Sequence, residues 1–196
     1  MERLSLVEKS AYYWEGEPVV ESKQTIIRPG KYSMVDLCCG AGGISKGFEM
    51  SGAFEVLLGV DIFTCAIDTF KLNHPKTTTI LGDVRQISDE QYKIAVGDRH
   101  INVVAAGVPC QGFSLSNKKR DKDDERNFLF LEVIRFVNNF NPDVVMIENV
   151  SGMQSTANGK FVDEIIRALS NAGGGYKVKS SILNAAEFGV PQLRKR

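Results

Sequence analysis

The sequence has no apolar run approaching the roughly 18 residues of a bilayer-spanning helix, so no membrane partner is expected. It shows no secretory segment, no internal repeat and no low-complexity tract. It also lacks net charge, since 24 Lys and Arg balance 24 Asp and Glu. A strongly basic chain would point to nucleic acid at once, and this one does not. Local patches can still bind it, and Arg194-Lys195-Arg196 is such a cluster. Cysteine is scarce: Cys38, Cys39, Cys65 and Cys110 match no zinc spacing, so no metal is expected. Reduced thiols in a cytoplasmic compartment are the reading, or a nuclear one in a eukaryote. What is present is ordinary for a globular protein, with 43% hydrophobic and 24% charged residues. At 196 residues the chain can bury a substantial core.

Residues 1–30 lack clear periodicity and read as an N-terminal arm or cap, with Tyr12, Tyr13 and Trp14 packing on the main domain. From Lys31 onward strand, turn and helix alternate. Strands are expected at Tyr32–Leu37, Phe54–Val60, Thr78–Leu81, Ile101–Ala106, Val144–Ile147 and Tyr176–Leu183. Helices are expected after the turn at Gly40, stopping before Gly52, and at Thr64–Leu72, Ser88–Val96, Asn127–Phe140 and Phe161–Asn171. Ser88 reads as an N-cap. This alternation predicts an α/β fold with a doubly wound, mostly parallel sheet.

The chemistry sits at strand ends, where open α/β sheets gather ligands. Gly107-Val108-Pro109-Cys110-Gln111-Gly112-Phe113-Ser114 follows an apolar run. Pro109 fixes its own φ and restricts Val108, so the Cys110 thiol sits on a stiff turn. A thiolate there would be a strong nucleophile, although most free cysteines are small buried hydrophobes. Asp36 precedes the turn Cys38-Cys39-Gly40-Ala41-Gly42-Gly43, whose glycine spacing is not that of a dinucleotide fold. A carboxylate there would repel a pyrophosphate but suits an ammonium, a sulfonium or ribose hydroxyls, as in S-adenosylmethionine. A tight turn with no ligand remains the alternative. Asp61, about 20 residues on, stands where an acid takes ribose hydroxyls, or simply caps a helix. Asp83 could accept from an adenine amino group, or be a plain turn aspartate. Glu148 ends the apolar run Val144–Ile147, so it is partly buried or functional, and burial would let it donate a proton near neutrality. Arg194 and Arg196 alternate on an extended segment and share a face, as a phosphate clamp or as a solvated tail.

Taken in order, these segments resemble the cytosine-C5 DNA methyltransferase family from about Met34 to Arg196. Asp-Leu-x-x-Gly-x-Gly-Gly, Pro-Cys-Gln-x-Phe-Ser, Glu-Asn-Val and Phe-Gly-Val-Pro-Gln-x-Arg-x-Arg stand in family order. The resemblance implies a Rossmann-like S-adenosylmethionine-dependent catalytic domain over residues 31–196, acting on a cytosine flipped out of double-stranded DNA. It implies that Cys110 attacks C6 and that Glu148 contacts N3 as an acid. Asn149 would hold the cysteine loop, and Arg194 and Arg196 would contact loop, phosphate and base O2. The loop Ser114–Arg126 matches a lid that closes over DNA. On the cofactor side it implies Asp61 for ribose, Asp83 for adenine and the Gly40 turn for the methionine end. Asp36, Cys38, Gly42, Gly43, Ile62, Val84, Gly107 and Pro109 would line the rest, with S-adenosylhomocysteine as product. Cys38 stands where the family usually has an aromatic against the adenine.

The family continues past Gln-x-Arg-x-Arg into a target-recognition domain and a final helix, so the catalytic domain is expected to be incomplete at its C-terminus. The expectation is a bacterial-type modification methylase present as a truncated chain, a fragment or one subunit. A second polypeptide would then carry the missing parts. This chain alone would show weak or no sequence-specific methylation. The alternatives are the tRNA-methylating branch of the family and a catalytically silent cofactor-binding or regulatory module. Amino-group methyltransferases are disfavoured because no Asp/Asn-Pro-Pro-Tyr/Phe segment occurs.

Overall fold

Apolar runs too short for helices and bounded by glycine or polar turns become strands buried on both faces, as a parallel sheet requires. A computed structural model of the chain describes residues 13–23, 28–108, 129–153 and 159–196. The strands are β1 (Val19–Glu21), β2 (Tyr32–Leu37), β3 (Phe54–Asp61), β4 (Thr78–Leu81), β5 (Val103–Ala106) and β6 (Val144–Ile147). The α-helices are α1 (Gly43–Met50), α2 (Thr64–Asn73), α3 (Asp89–Val96), α4 (Leu129–Phe140) and α5 (Lys160–Asn171). The strands form one sheet in the order β1-β4-β3-β2-β5-β6. β2 pairs in parallel with β3 and β5, and β3 pairs in parallel with β4. The order reverses at β2, which is where such sheets place their ligands. The expected α/β fold with a mostly parallel sheet is therefore the one observed.

Two compact units are distinguished. The first comprises the chain up to Ala106 together with Pro142–Met146. Its core joins Met34, Cys39, Val56, Ile67, Phe70, Val103 and Ala105, with Ile44, Phe48, Phe54, Leu81 and Met146 packed against them. Phe70, fully buried on α2, lies where a side chain on Gly59 would have to be, so the missing Cβ lets the ring reach β3. Ser88 caps α3 as expected: its hydroxyl accepts from Gln91 N, and the Gln91 side chain accepts from Ser88 N.

The second unit comprises Gly107–Asn141 and Ile147–Arg196. There α4 buries Leu129, Phe130, Val133, Phe136 and Val137. Phe130 meets Phe161 of α5 edge-to-face at 5.4 Å. Among the described residues no helix is long and apolar enough to cross a membrane.

Two expectations need correction. Tyr176–Leu183 is not a strand. Tyr176 N turns back to donate to Leu169 O, and Lys177, Lys179, Ser180 and Ser181 stay exposed. A strand must pair its backbone along its length, whereas here Tyr176 pairs back to α5 and Leu183 exchanges N–H···O bonds with Arg196. The sixth strand is instead β1, from the arm, antiparallel to β4 with Val19 opposite Leu81. Three residues carry too little alternation to be read as a strand beforehand.

Phe70→Ala removes a ring that nothing else can replace. The variant is expected to lose about 3–5 kcal/mol of unfolding free energy in urea titrations, with the cavity adding to the lost transfer term.

Candidate functional site

The first unit brings together most of the residues singled out for the cofactor. Asp61 is buried at the end of β3. Its Oδ2 accepts from Gly40 N at 2.8 Å and its Oδ1 from Phe63 N at 2.9 Å. Its carbonyl accepts from Gly82 N at 3.0 Å, which places the turn carrying Asp83 beside it. Burial pushes the Asp61 carboxyl up, against the backbone amides of Phe63, Gly40 and Ile62 that favour its charge.

Asp36 is fully buried at the end of β2. Its Oδ2 accepts from Ser45 Oγ at 2.6 Å. Its Oδ1 is buried and has no hydrogen-bond partner among the described residues. Burial raises its pKa to about 6, with the Ser45 bonds and the His74 ring pulling the other way. An orphaned carboxylate oxygen is costly to keep and is suited to a donor brought by a ligand.

The turn between them has Cys38, Gly40 and Gly42 at φ of 60°, 55° and 91°. Cys38 is a non-glycine residue in the left-handed region, a sparsely populated conformation. Gly42 has a second constraint, because a Cβ there would overlap the His74 ring. Burial, then the carboxylates of Asp61, Asp36 and Asp83, push the Cys38 thiol up. Burial and Asp36 do the same to Cys39. Both stay protonated, so neither is a usable nucleophile.

Asp83 stands in the turn after β4, where its sequence position puts it. Arg85 grips both of its oxygens, with Nη2 donating to Oδ2 at 2.6 Å and Nε to Oδ1 at 3.1 Å. Partial burial pushes the carboxyl up, but the guanidinium holds it below its usual value. It remains an acceptor through its other lone pairs. Ile62 is half-buried and Val84 is buried beside these acids.

Sequence reasoning missed Asn73 and His74. Asn73 Nδ2 donates to Ala41 O at 2.8 Å. His74 Nε2 lies 3.2 Å from Gly42 O and its Nδ1 3.1 Å from Glu49 Oε2. The ring is buried and packs on Phe70 at 4.4 Å. The end of α2 thus holds two carbonyls of the glycine turn. The only signal was Asn-His-Pro closing a helix, which reads equally well as a plain stop.

The second unit carries the other group. Asn149 Nδ2 donates to Val108 O at 3.1 Å, and its Oδ1 accepts from Val150 N. Glu148 Oε1 is 3.0 Å from Arg196 Nε, with the glutamate side chain 37% exposed. That is the partial burial expected of Glu148. Arg196 is positioned by pairing Leu183–Ala185 with Arg194–Arg196 around a 3-10 turn at Ala185–Phe188. Gly107 is half-buried ahead of Val108, and Arg194 is exposed. Pro109, Cys110 and the expected lid at residues 114–126 lie outside the described residues.

The family profile of C-5 cytosine-specific DNA methylase matches residues 32–196. The chain belongs to that family. It is 41% identical over 164 residues to the type II methyltransferase M1.HphI of Haemophilus parahaemolyticus, covering 83% of this chain and 43% of that one. It is 42% identical over 166 residues to the type II methyltransferase M.XorII of Xanthomonas oryzae pv. oryzae, covering 83% and 38%. The chain therefore spans about two fifths of the length of these curated relatives. A crystal structure described as a DNA modification methyltransferase encoded within an E. coli prophage superposes with a TM-score of 0.71 at 29% identity. That match covers 84% of this chain and 44% of the other.

The raised Asp36 value makes a pH signature. Native Asp36 holds its proton up to about pH 6, whereas the unfolded residue releases it near pH 4. Native protein binds the extra proton across that window, so wild type loses stability as pH rises through it. The loss is about 3 kcal/mol at about 1.4 kcal/mol per pKa unit. Asp36→Asn lacks this term. Its stability relative to wild type is expected to climb between pH 4 and pH 6.5 and then level off. Urea titrations across that range give the slope, and a flat difference would contradict the assignment.

Proposed function

We propose that this chain carries the catalytic part of an enzyme that transfers a methyl group from S-adenosylmethionine to C5 of cytosine in DNA. The observation that carries the reading is the Asn149 bond to Val108 O, which ties the end of β6 to the residue two before Cys110 in sequence. That is the bond needed to hold a nucleophile-bearing segment in register with an acid on the same strand end. The family profile supplies the reaction class.

C5 of cytosine is a weak nucleophile, and covalent addition activates it. Cys110 adds through sulfur to C6, and Glu148 serves at N3. The electron pair released toward C5 would take up the methyl group as its bond to the sulfonium sulfur breaks, leaving S-adenosylhomocysteine. Loss of the C5 proton and departure of the cysteine sulfur then restore the ring. The base must leave the duplex stack for sulfur to reach it. Arg196, paired with Glu148, holds that carboxylate until the base arrives, and Arg194 lies one strand step away for phosphate or the base carbonyl.

S-adenosylmethionine supplies an electrophilic methyl on a sulfonium. The acceptor-only set of the first unit fits it, because the buried Asp36 Oδ1 offers an unused acceptor to a cationic donor. The Gly40–Gly43 turn would take the methionine end, Asp61 the ribose hydroxyls and Asp83 the adenine amino group. Cys38, Ile62 and Val84 would line it. Double-stranded DNA is the substrate in this reading. Target recognition and the last helix would come from outside residues 31–196, as further chain or as a second polypeptide, in a bacterial cytoplasm.

DNA containing 5-fluorocytosine tests the chemistry, since fluorine at C5 blocks the final elimination. With S-adenosylmethionine, wild type is expected to give an adduct stable to denaturing electrophoresis, and Cys110→Ala none. Asn149→Ala is expected to slow adduct formation by about 10-fold or more, through loss of loop alignment. No Cys110-dependent adduct, even with a complementary C-terminal piece added, would overturn the reading.

A further inference from the structure

Gly42 and Gly43 share a peptide plane with no side chain on either side of it. Gly42 sits at φ 91° and ψ 25°, a conformation that glycine enters and leaves freely. Rotating the plane would reverse the Gly42 carbonyl and the Gly43 N–H together, because the two point opposite ways across a trans peptide. One ring stands against that rotation. His74 Nε2 lies 3.2 Å from Gly42 O, and the ring fills the space a Gly42 side chain would take. Gly42 O also accepts from Lys46 N at 2.8 Å, the first bond of α1. The ring is itself held, buried against Phe70 one turn earlier on α2 at 4.4 Å. Its other nitrogen, Nδ1, lies 3.1 Å from Glu49 Oε2 in the last turn of α1. His74 thus grips α1 at both its start and its end.

Both ring nitrogens therefore face acceptors. A carbonyl oxygen does not donate, and neither does an ionised carboxylate. A neutral imidazole has one N–H and one lone pair, so one of the two contacts would set lone pair against lone pair. The doubly protonated ring satisfies both oxygens, and the Glu49 carboxylate balances its charge. Lys46 Nζ stands 3.9 Å from the same Glu49 oxygen, and Asp36 on β2 is the other acid that feels the ring. We propose that His74 is a positioning residue: donating from both ring nitrogens, it locks the Gly42–Gly43 peptide plane, so that the Gly43 N–H faces away from α2 on the side left for a ligand. This deepens the proposed function, resting on the glycine turn as the seat of the ligand's methionine end.

Two measurements on the whole chain test it. Imidazole nitrogen-15 shifts read which ring nitrogens carry hydrogen, and His74 is told from the other histidine, His100, by its loss in His74→Gln. Wild-type His74 is expected to show hydrogen on both nitrogens. Calorimetry with S-adenosylhomocysteine is expected to give about tenfold weaker binding to His74→Gln, which can donate to only one of the two oxygens. Adenosine lacks the methionine end and should bind that variant within about twofold of wild type. Glu49→Ala is expected to weaken S-adenosylhomocysteine by about threefold or more. Glu49→Gln, whose amide can donate to Nδ1, should recover most of that loss. If His74→Gln fails to fold, Glu49→Ala carries the binding test. The proposal is overturned if the wild-type ring carries hydrogen on one nitrogen only, or if the folded variant binds S-adenosylhomocysteine as wild type does. It is overturned as well if adenosine weakens equally, which would make His74 a support of the fold alone. Wild type binding neither ligand would instead remove the cofactor reading, and this proposal with it.

Discussion

One buried residue, Asp61, fastens three turns. Asp61 accepts from Gly40 N in the turn after β2 and from Phe63 N at the start of α2, while its carbonyl takes Gly82 N from the turn after β4. Neighbouring parallel strands would otherwise end in independent loops. With Asp61 in place, their backbone polar groups are satisfied by each other, and the loops need little side-chain mass of their own. That leaves their surface open at the strand ends. The glycine turn and the Asp83 turn both bond to this residue.

The same concentration of acid has an electrostatic side. Three carboxylates stand at adjacent strand ends, where Asp61 adds to the burial that raises Asp36, and each finds a different remedy. Asp61 uses backbone amides, Asp83 uses Arg85, and Asp36 has only Ser45 and the more distant pull of His74. Asp36 is therefore the group that gains most from an added positive charge. The field also keeps the Cys38 and Cys39 thiols inert, which separates them from the chemistry expected of Cys110.

Legibility followed the range of the interactions involved. The strands Tyr32–Leu37, Thr78–Leu81 and Val144–Ile147 were readable because each is a short apolar run between breakers. Ser88 was readable because its partner Gln91 is three residues away. β1 was not, since its pairing with β4 joins residues some 60 apart and depends on the rest of the sheet. Tyr176–Leu183 looked like a strand because alternation says nothing of whether a partner edge exists. Asn73 and His74 were hidden for the reason that made Gly42 visible: glycine announces a close approach but not what approaches. Asp83 was legible as a strand-end acid, and its grip by Arg85 was not. The Glu148–Arg196 pair was legible as two residues, while their meeting required the turn at Ala185–Phe188.

β1 also covers an edge of the sheet. A sheet edge is an open row of donors and acceptors, ready to pair with any extended chain. Three residues of the arm occupy that row on β4, opposite Thr79, Ile80 and Leu81. The covering strand then ends in Glu21, ion-paired with Lys23 and Lys71, so the new edge presents charge instead of the apolar β4 run. A chain begun at the family boundary near residue 32 would leave β4 uncovered. The arm therefore works as a guard against strand exchange between copies, and a shortened version of this protein would sacrifice its tolerance of high concentration before its fold.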